Sequence, residues 1–334
     1  MLQPPVTISV AFVNGMLSGV RARGLPCDTF LTDAGIDAPL LEQTSARVTA
    51  DQYVALFQSL TDRLDDEVLG FLPRPLKRGS FALIVRSAAG EDKLEAAMRR
   101  IARTFGLLQD EVGLEMLRAG PLAGLGLRFT GSFEKPPVFL QELLMRIFWR
   151  LCAWLVGGRL QVERFDFAFP SPTYASSYGK IFPAPLRFDQ QQTGFWFSAE
   201  LLQQPVRRDK AAVRDFLADA RANVIVPRRK DSLSERVRNH LQRSQPSWPD
   251  LAATADALHM AASTLQRRLA ADGTSFQALK DALRRDLAIV RLNTSNVPLT
   301  ALAFDLGFAD SAAFQRAFKS WTGSAPGAYR QRGL

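Results

Sequence analysis

The chain has 334 residues, 47% of them hydrophobic and 22% charged, which is enough apolar side chain to bury substantial cores and to expect two domains. The formal net charge of +9 is unevenly placed: from Arg207 onward there are 21 Lys and Arg against 12 Asp and Glu, so the residues before it balance to zero. Cys27 and Cys152 lie far apart and outside any CxxC or Cys/His cluster, and the N-terminus lacks the basic start and apolar run of a signal peptide; both argue against a disulfide-stapled secreted fold and for the cytoplasm.

The neutral part reads as an α+β domain of mixed helices and a small sheet. Apolar residues at helical spacing run through Val54, Leu56, Phe57, Leu60 and Leu64, and again through Leu94, Ala97, Ile101 and Phe105 before Gly106. Strand-like segments at Val112–Leu117 and Leu125–Phe129 are joined through the turn signal Ala119-Gly120-Pro121. The most apolar stretch, Val138–Val156, is interrupted every four residues by Glu142, Arg146 and Arg150. On a helix these form one polar stripe, so the segment reads as a mostly buried helix and not as a membrane span. Alternating Val162, Phe165, Phe167 and Phe169 predict a strand, several prolines follow, and Gly194–Ser198 predicts a last one. The dense Phe and Trp read as a packed aromatic core. Pro205 closes the region; Arg207–Ala222 is expected as a polar connecting helix and Pro227-Arg228-Arg229-Lys230 as a basic hinge.

The remainder is almost all helix. Ser232 is an N-cap candidate for a helix carrying Leu233, Val237 and Leu241. Ser247 and Asp250 give a capping-box-like start to a helix with Leu251, Ala255 and Leu258; His259 and Met260 fill a turn. The next helix, about Ala262–Ala270, turns Leu265 and Leu269 inward and leaves Gln266, Arg267 and Arg268 outside, side chains able to bind adenine, guanine and phosphate in a major groove. A second helix-turn-helix pattern repeats this at Leu299–Lys319. Pro298 suits a helix start, Ala303 a close helix approach, Gly307 a turn needing positive φ, and Asp310 an N-cap; Phe314 and Phe318 face the core while Gln315, Arg316 and Lys319 face out. Between the units, Phe276, Leu279, Leu283, Leu287 and Val290 trace one face of a helix to Leu292, about 25 Å long. With the flanking helices added, the two recognition helices fall about one DNA turn apart, on the order of 34 Å.

At these residues the segment 232–332 resembles the DNA-binding domain of AraC/XylS-type transcriptional regulators, most closely in LQRRL (265–269), DGTSFQAL (272–279), LGF (306–308) and AFQRAFKSWTGSAPGAYR (313–330). The preceding part is similar to the N-terminal domain of the OruR- and VirS-like subgroup through RSAAGEDKLEAAMRRIAR and RFDFAFPSPTYASSYGKIFPAPLRFD. The resemblance implies residues 1–204 as an effector-sensing and dimerising domain, 205–230 as linker and 231–334 as an all-α DNA-binding domain with two helix-turn-helix units. It also implies base-facing positions at Ser263, Gln266 and Arg267 in the first unit and at Ser311, Ala312, Gln315 and Arg316 in the second; Ala262, Thr264 and Arg268 on the first helix and Lys319 on the second complete the expected DNA contacts. Where relatives carry Ser-x-Arg-Thr-Leu this chain has Ala261-Ala262-Ser263-Thr264-Leu265, losing a cap hydroxyl worth about 1 kcal/mol. Where relatives carry Glu-Ile-Ala it has Ala301-Leu302-Ala303.

The expected function is therefore a sequence-specific, effector-responsive regulator, an activator by preference, that binds double-stranded promoter DNA and recruits RNA polymerase, without cofactor, metal or membrane. The effector expected is an apolar or carboxylate-bearing small molecule, with Arg86, Arg128 and Arg164 as arginines able to pair a carboxylate, and a homodimer is expected. Two alternatives compete. A DNA-repair alkyltransferase-like enzyme would need an activated cysteine, yet Cys152 sits in the most apolar helix and no His stands near Cys27 in sequence. A non-specific nucleoid protein would not need a neutral domain of this size. His240 and His259 offer no metal-ligand set.

Overall fold

A computed structural model of the chain describes residues 7–218 except 132, 134 and 159, and residues 233–330 except 272 and 273. The basic hinge Pro227–Lys230, the Ser232 cap and the end of the expected connecting helix fall outside these residues. In chain order the elements are β1 (Thr7–Ser9), α1 (Val10–Ala22), α2 (Asp28–Asp33), β2 (Arg47–Thr49), α3 (Ala50–Leu64), α4 (Ser80–Ala89), α5 (Leu94–Leu108), β3 (Val112–Ala119), β4 (Leu122–Phe129), α6 (Val138–Leu155), β5 (Arg164–Asp166), β6 (Leu186–Arg187), β7 (Gly194–Ser198) and α7 (Lys210–Ala218). There follow α8 (Leu233–Arg243), α9 (Leu251–Ala257), α10 (Ala262–Ala271), α11 (Phe276–Thr294), α12 (Leu299–Asp305) and α13 (Ser311–Thr322). The first part is thus α+β and the last part mostly helical.

Contacts divide the described chain into two units, one of residues 14–30 and 54–218, the other of residues 7–13, 31–53 and 233–330. The expected segments 1–204, 205–230 and 231–334 are consecutive, whereas the contact units interleave along the chain.

In the first unit a sheet of order β3-β4-β7-β5-β6 has antiparallel ladders except for the short parallel pair β5·β6. The register places Leu125, Phe195 and Phe165 on one face, all buried, and Trp149 of α6 meets the Phe165 ring edge-on at 5.5 Å. The opposite face pairs Gly124 with Trp196 and Trp196 with Arg164. A Cβ at Gly124 would stand 2.4 Å from the Phe195 carbonyl oxygen, so the strand closes only around glycine. The strand expected over 162–169 pairs only at Arg164–Asp166 in the sheet, because Phe167 and Phe169 turn into an aromatic cluster with Tyr178, Phe182 and Phe188. Helix α5 runs through Gly106 to Leu108, beyond the expected stop. The polar stripe of α6 proves mostly internal: Glu142 is 4% and Arg146 7% exposed. One oxygen of Glu142, Oε1, accepts hydroxyl hydrogen bonds from Tyr174 at 2.9 Å and from Tyr178.

In the second unit, β1 and β2 pair antiparallel, Ile8 opposite Val48, and polar bonds tie the ribbon and the start of α3 to α11 and to Tyr329 near the end of the described chain. Thr7 Oγ1 donates to Asp286 Oδ1 at 2.6 Å, Gln52 Nε2 donates to Asn293 Oδ1 at 3.0 Å, and the Arg47 amide donates to the Tyr329 hydroxyl at 3.1 Å. Asp286, 2% exposed, also takes Arg238 Nη2 at 3.1 Å and Arg285 Nη2 at 3.1 Å, so a buried carboxylate is held by two cations and a hydroxyl. Burial and the neighbouring Arg285 lower the Arg47 guanidinium to about 10, which leaves it charged at neutral pH. Because β2 covers α11, the buried stripe of that helix runs through Leu283, Asp286, Ile289 and Leu292, while the expected Leu287 and Val290 are half-buried. No helix of the described residues is long and apolar enough to cross a membrane.

Candidate nucleic-acid interface

Both helix-turn-helix units are built by the same local chemistry. Asp250, not Ser247, caps α9, its side chain accepting from the Ala253 amide at 2.8 Å. The helix ends in a paired-bond stop: His259 N donates to Asp256 O at 2.9 Å and Met260 N to Ala255 O at 2.9 Å, with His259 at φ +56. In the second unit Gly307 N donates to Phe304 O at 2.8 Å and Phe308 N to Ala303 O at 2.9 Å, with Gly307 at φ +73. The same turn thus uses His in one unit and Gly in the other.

From these left-handed residues the two turns diverge by one residue. Helix α10 starts three residues after His259, and α13 four residues after Gly307. The extra residue gives the second turn room for Asp310, which caps α13 by accepting from the Ala313 amide at 2.7 Å. Helix α10 begins behind Ala261, which has no side-chain acceptor.

Leu265 and Leu269 are fully buried in the first unit, as are Phe314 and Phe318 in the second. At about 100° per residue, Ser263 and Arg267 then point away from the first core with Gln266 at its flank, and Ala312, Arg316 and Lys319 away from the second with Gln315 at its flank. All of these are exposed, as is Arg268; Ala262, Thr264 and Ser311 are half-buried on the flanks. The two helices therefore present the same Gln-Arg pair, 266–267 and 315–316, at the same angle to their cores. They differ at the next turn, where Lys319 in the second stands in the place of Ala270 in the first. Gln315 Nε2 lies 3.2 Å from Ser311 Oγ, one helical turn away.

Helix α11, capped by Ser275 through the Ala278 amide at 3.1 Å, joins the units and at 19 residues is about 28 Å long. Sequence reasoning passed over the residues that join the units elsewhere. Trp248, just before the α9 cap, donates from Nε1 to Asp305 O at 2.9 Å, and Arg284 Nη2 donates to Gly307 O at 3.2 Å. The signal available was a Trp-Pro pair directly ahead of a cap, which no helical or strand period explains.

The effector candidates are placed differently from one another. Arg86 and Arg128 are exposed, whereas Arg164 is half-buried, 3.2 Å from Asp166 and with its guanidinium 4.6 Å above the Trp196 ring. Cys152 is fully buried and burial pushes its thiol up to about 12, a poor setting for a nucleophile; among the described residues no three His, Cys, Asp or Glu side chains gather as a metal site.

A family model described as the arabinose-binding, N-terminal domain of AraC transcription regulators matches residues 24–206, and a helix-turn-helix domain model matches residues 254–332. The ornithine utilization regulator of Pseudomonas aeruginosa is 27% identical over 326 residues, 97% of this chain and 96% of that protein. The HTH-type transcriptional regulator VirS of Mycobacterium tuberculosis is 28% identical over 260 residues, 76% of this chain and 75% of its own. The crystal structure of the transcriptional regulator CdpR from Pseudomonas aeruginosa aligns over 98% of this chain and 99% of that one, at 18% identity and a TM-score of 0.34.

Proposed function

Since the chain belongs to the AraC family of transcription regulators, and so is a DNA-binding regulator, we propose that it reads two successive major-groove segments of a promoter in response to a small-molecule effector. The observation that carries this reading is the repeated Gln-Arg pair, exposed on two recognition helices joined by one helix of about 28 Å. Gln266, Arg267, Gln315 and Arg316 supply the base contacts in this scheme. Arg268 and Lys319 anchor phosphates, and the small Ser263, Ser311 and Ala312 let the backbone approach the groove. The sheet-bearing unit, with its aromatic core, senses the effector, for which an apolar or carboxylate-bearing molecule fits its composition. The regulator acts in the cytoplasm as an activator that recruits RNA polymerase, and as a homodimer.

The test is Arg267→Ala in a gel-shift titration against operator and random DNA. Loss of one bidentate base contact is worth about 1–3 kcal/mol of discrimination, so the specificity ratio should fall by roughly fivefold to 150-fold while non-specific binding changes little. An unchanged ratio removes Arg267 from base readout.

A further inference from the structure

Trp248, Arg284 and Phe308 come from three parts of the helical unit: the approach to the first helix-turn-helix, the middle of α11, and the turn of the second. The Arg284 guanidinium lies over both rings, its Cζ 5.0 Å from the Trp248 centroid and 5.0 Å from that of Phe308. Trp248 packs against the first unit's core of Val237, Leu241, Leu265 and Leu269. Phe308 packs against the second, 5.7 Å from the Phe314 ring and 5.9 Å from Trp321. The stack therefore runs from one core to the other.

Hydrogen bonds hold each layer. Lys280 Nζ donates to the Trp248 and Pro249 carbonyls at 3.2 and 3.1 Å, Trp248 Nε1 donates to Asp305 O at 2.9 Å, and Arg291 Nη1 meets Asp305 Oδ2 at 2.7 Å. The Arg284 side chain is 12% exposed, with Nη2 on the Gly307 carbonyl at 3.2 Å. A Cβ at Gly307 would lie 2.5 Å from Trp248 Cδ1, so this glycine serves the close packing as well as the turn. A planar guanidinium can stack on two faces and donate in its own plane at once, which an ammonium cannot.

We propose that this Trp248–Arg284–Phe308 stack is a strut that sets the distance and twist between the two recognition helices, and that Arg284 is a positioning residue for the spacing of operator half-sites. The inference rests on the two-groove reading above. A single connecting helix can bend, and a bend at its middle is amplified at recognition helices about one DNA turn apart. The strut ties the first unit's entry directly to the second unit's turn and removes that freedom.

The test uses the full chain and an operator selected from random duplexes. Affinity is measured for that operator, for versions with one base pair added or removed between half-sites, and for a single half-site. One base pair rotates the second site by about 34° and moves it by about 3.4 Å. The wild-type chain should lose on the order of tenfold in affinity, the worth of a bidentate base contact. Arg284→Ala should keep half-site affinity within about twofold but reduce the spacing penalty to under about threefold, with Arg284→Lys between the two. Phe308→Leu, which keeps the apolar volume without a ring face, gives the same readout if Arg284→Ala does not fold. A spacing penalty undiminished in the folded variants overturns the strut alone. A wild-type chain that binds specifically without any spacing preference overturns the two-groove reading, and the strut with it.

Discussion

Glu142 is an acid placed where water does not reach. Its Oε1 takes both tyrosine hydroxyls, and its buried Oε2 has no hydrogen-bond partner among the described residues. Burial, only partly offset by Tyr178 and Tyr174, raises its carboxyl to about 7. The unfolded chain titrates near the ordinary value of 4.5, so between these two pH values the folded state holds a proton that the unfolded state has released. This contribution to stability is complete below the lower value, fades as pH rises, and is gone above the higher one. The melting temperature of the wild-type chain should therefore fall from about pH 5 to about pH 8, and Glu142→Gln, neutral throughout, should flatten that slope. An equal slope in both proteins would place the titration elsewhere. The sequence showed Glu142 as one of three polar residues at a spacing of four; that it lies inside depends on Tyr174 and Tyr178, more than thirty residues further along.

At the scale of the element, the two recognition helices differ in how they begin. Asp310 caps α13 through the Ala313 amide, whereas α10 starts behind Ala261 with no side-chain acceptor. Asp310→Ala should cost about 1 kcal/mol, and Ala261→Ser should return a similar amount to the first unit, both read from chemical denaturation midpoints. A null result for Ala261→Ser would mean that the backbone there is not open to a cap. Such features are legible in sequence because they are short-range: a cap acts over three residues, a helical face repeats within two turns, and a glycine marks a left-handed turn. The same reasoning explains the misses. Ser247 has the spacing of a capping box, yet Asp250 satisfies the amide by itself, and His259 adopts the left-handed conformation that a glycine announces at position 307.

At the scale of the whole molecule, residues near the start of the chain complete the helical unit near its end. Thr7 and Asp286 are 279 residues apart and joined at 2.6 Å, and Thr7 also accepts from Arg47 Nε at 2.7 Å. Thr7→Val in the intact chain leaves the buried Asp286 and Arg47 each short of a partner. It should cost about 1–3 kcal/mol in denaturation, where a peripheral surface change would cost under about 0.5. A fragment starting near residue 228 lacks the β1–β2 ribbon that belongs to the same contact unit.

The sequence by itself determined the local structure of this part: two helix-turn-helix units, the buried positions of α10 and α13, the presence of a helix between them, and the concentration of positive charge in that part of the chain. Each follows from periodicity, capping or composition, which act over a few residues and leave a trace in any short window. Only the tertiary structure decided the ribbon on Asp286, the burial of Glu142 and the placement of Arg284 over two rings. Each of these depends on partners brought close by folding from distant positions, where a buried polar group and an exposed one have the same letter.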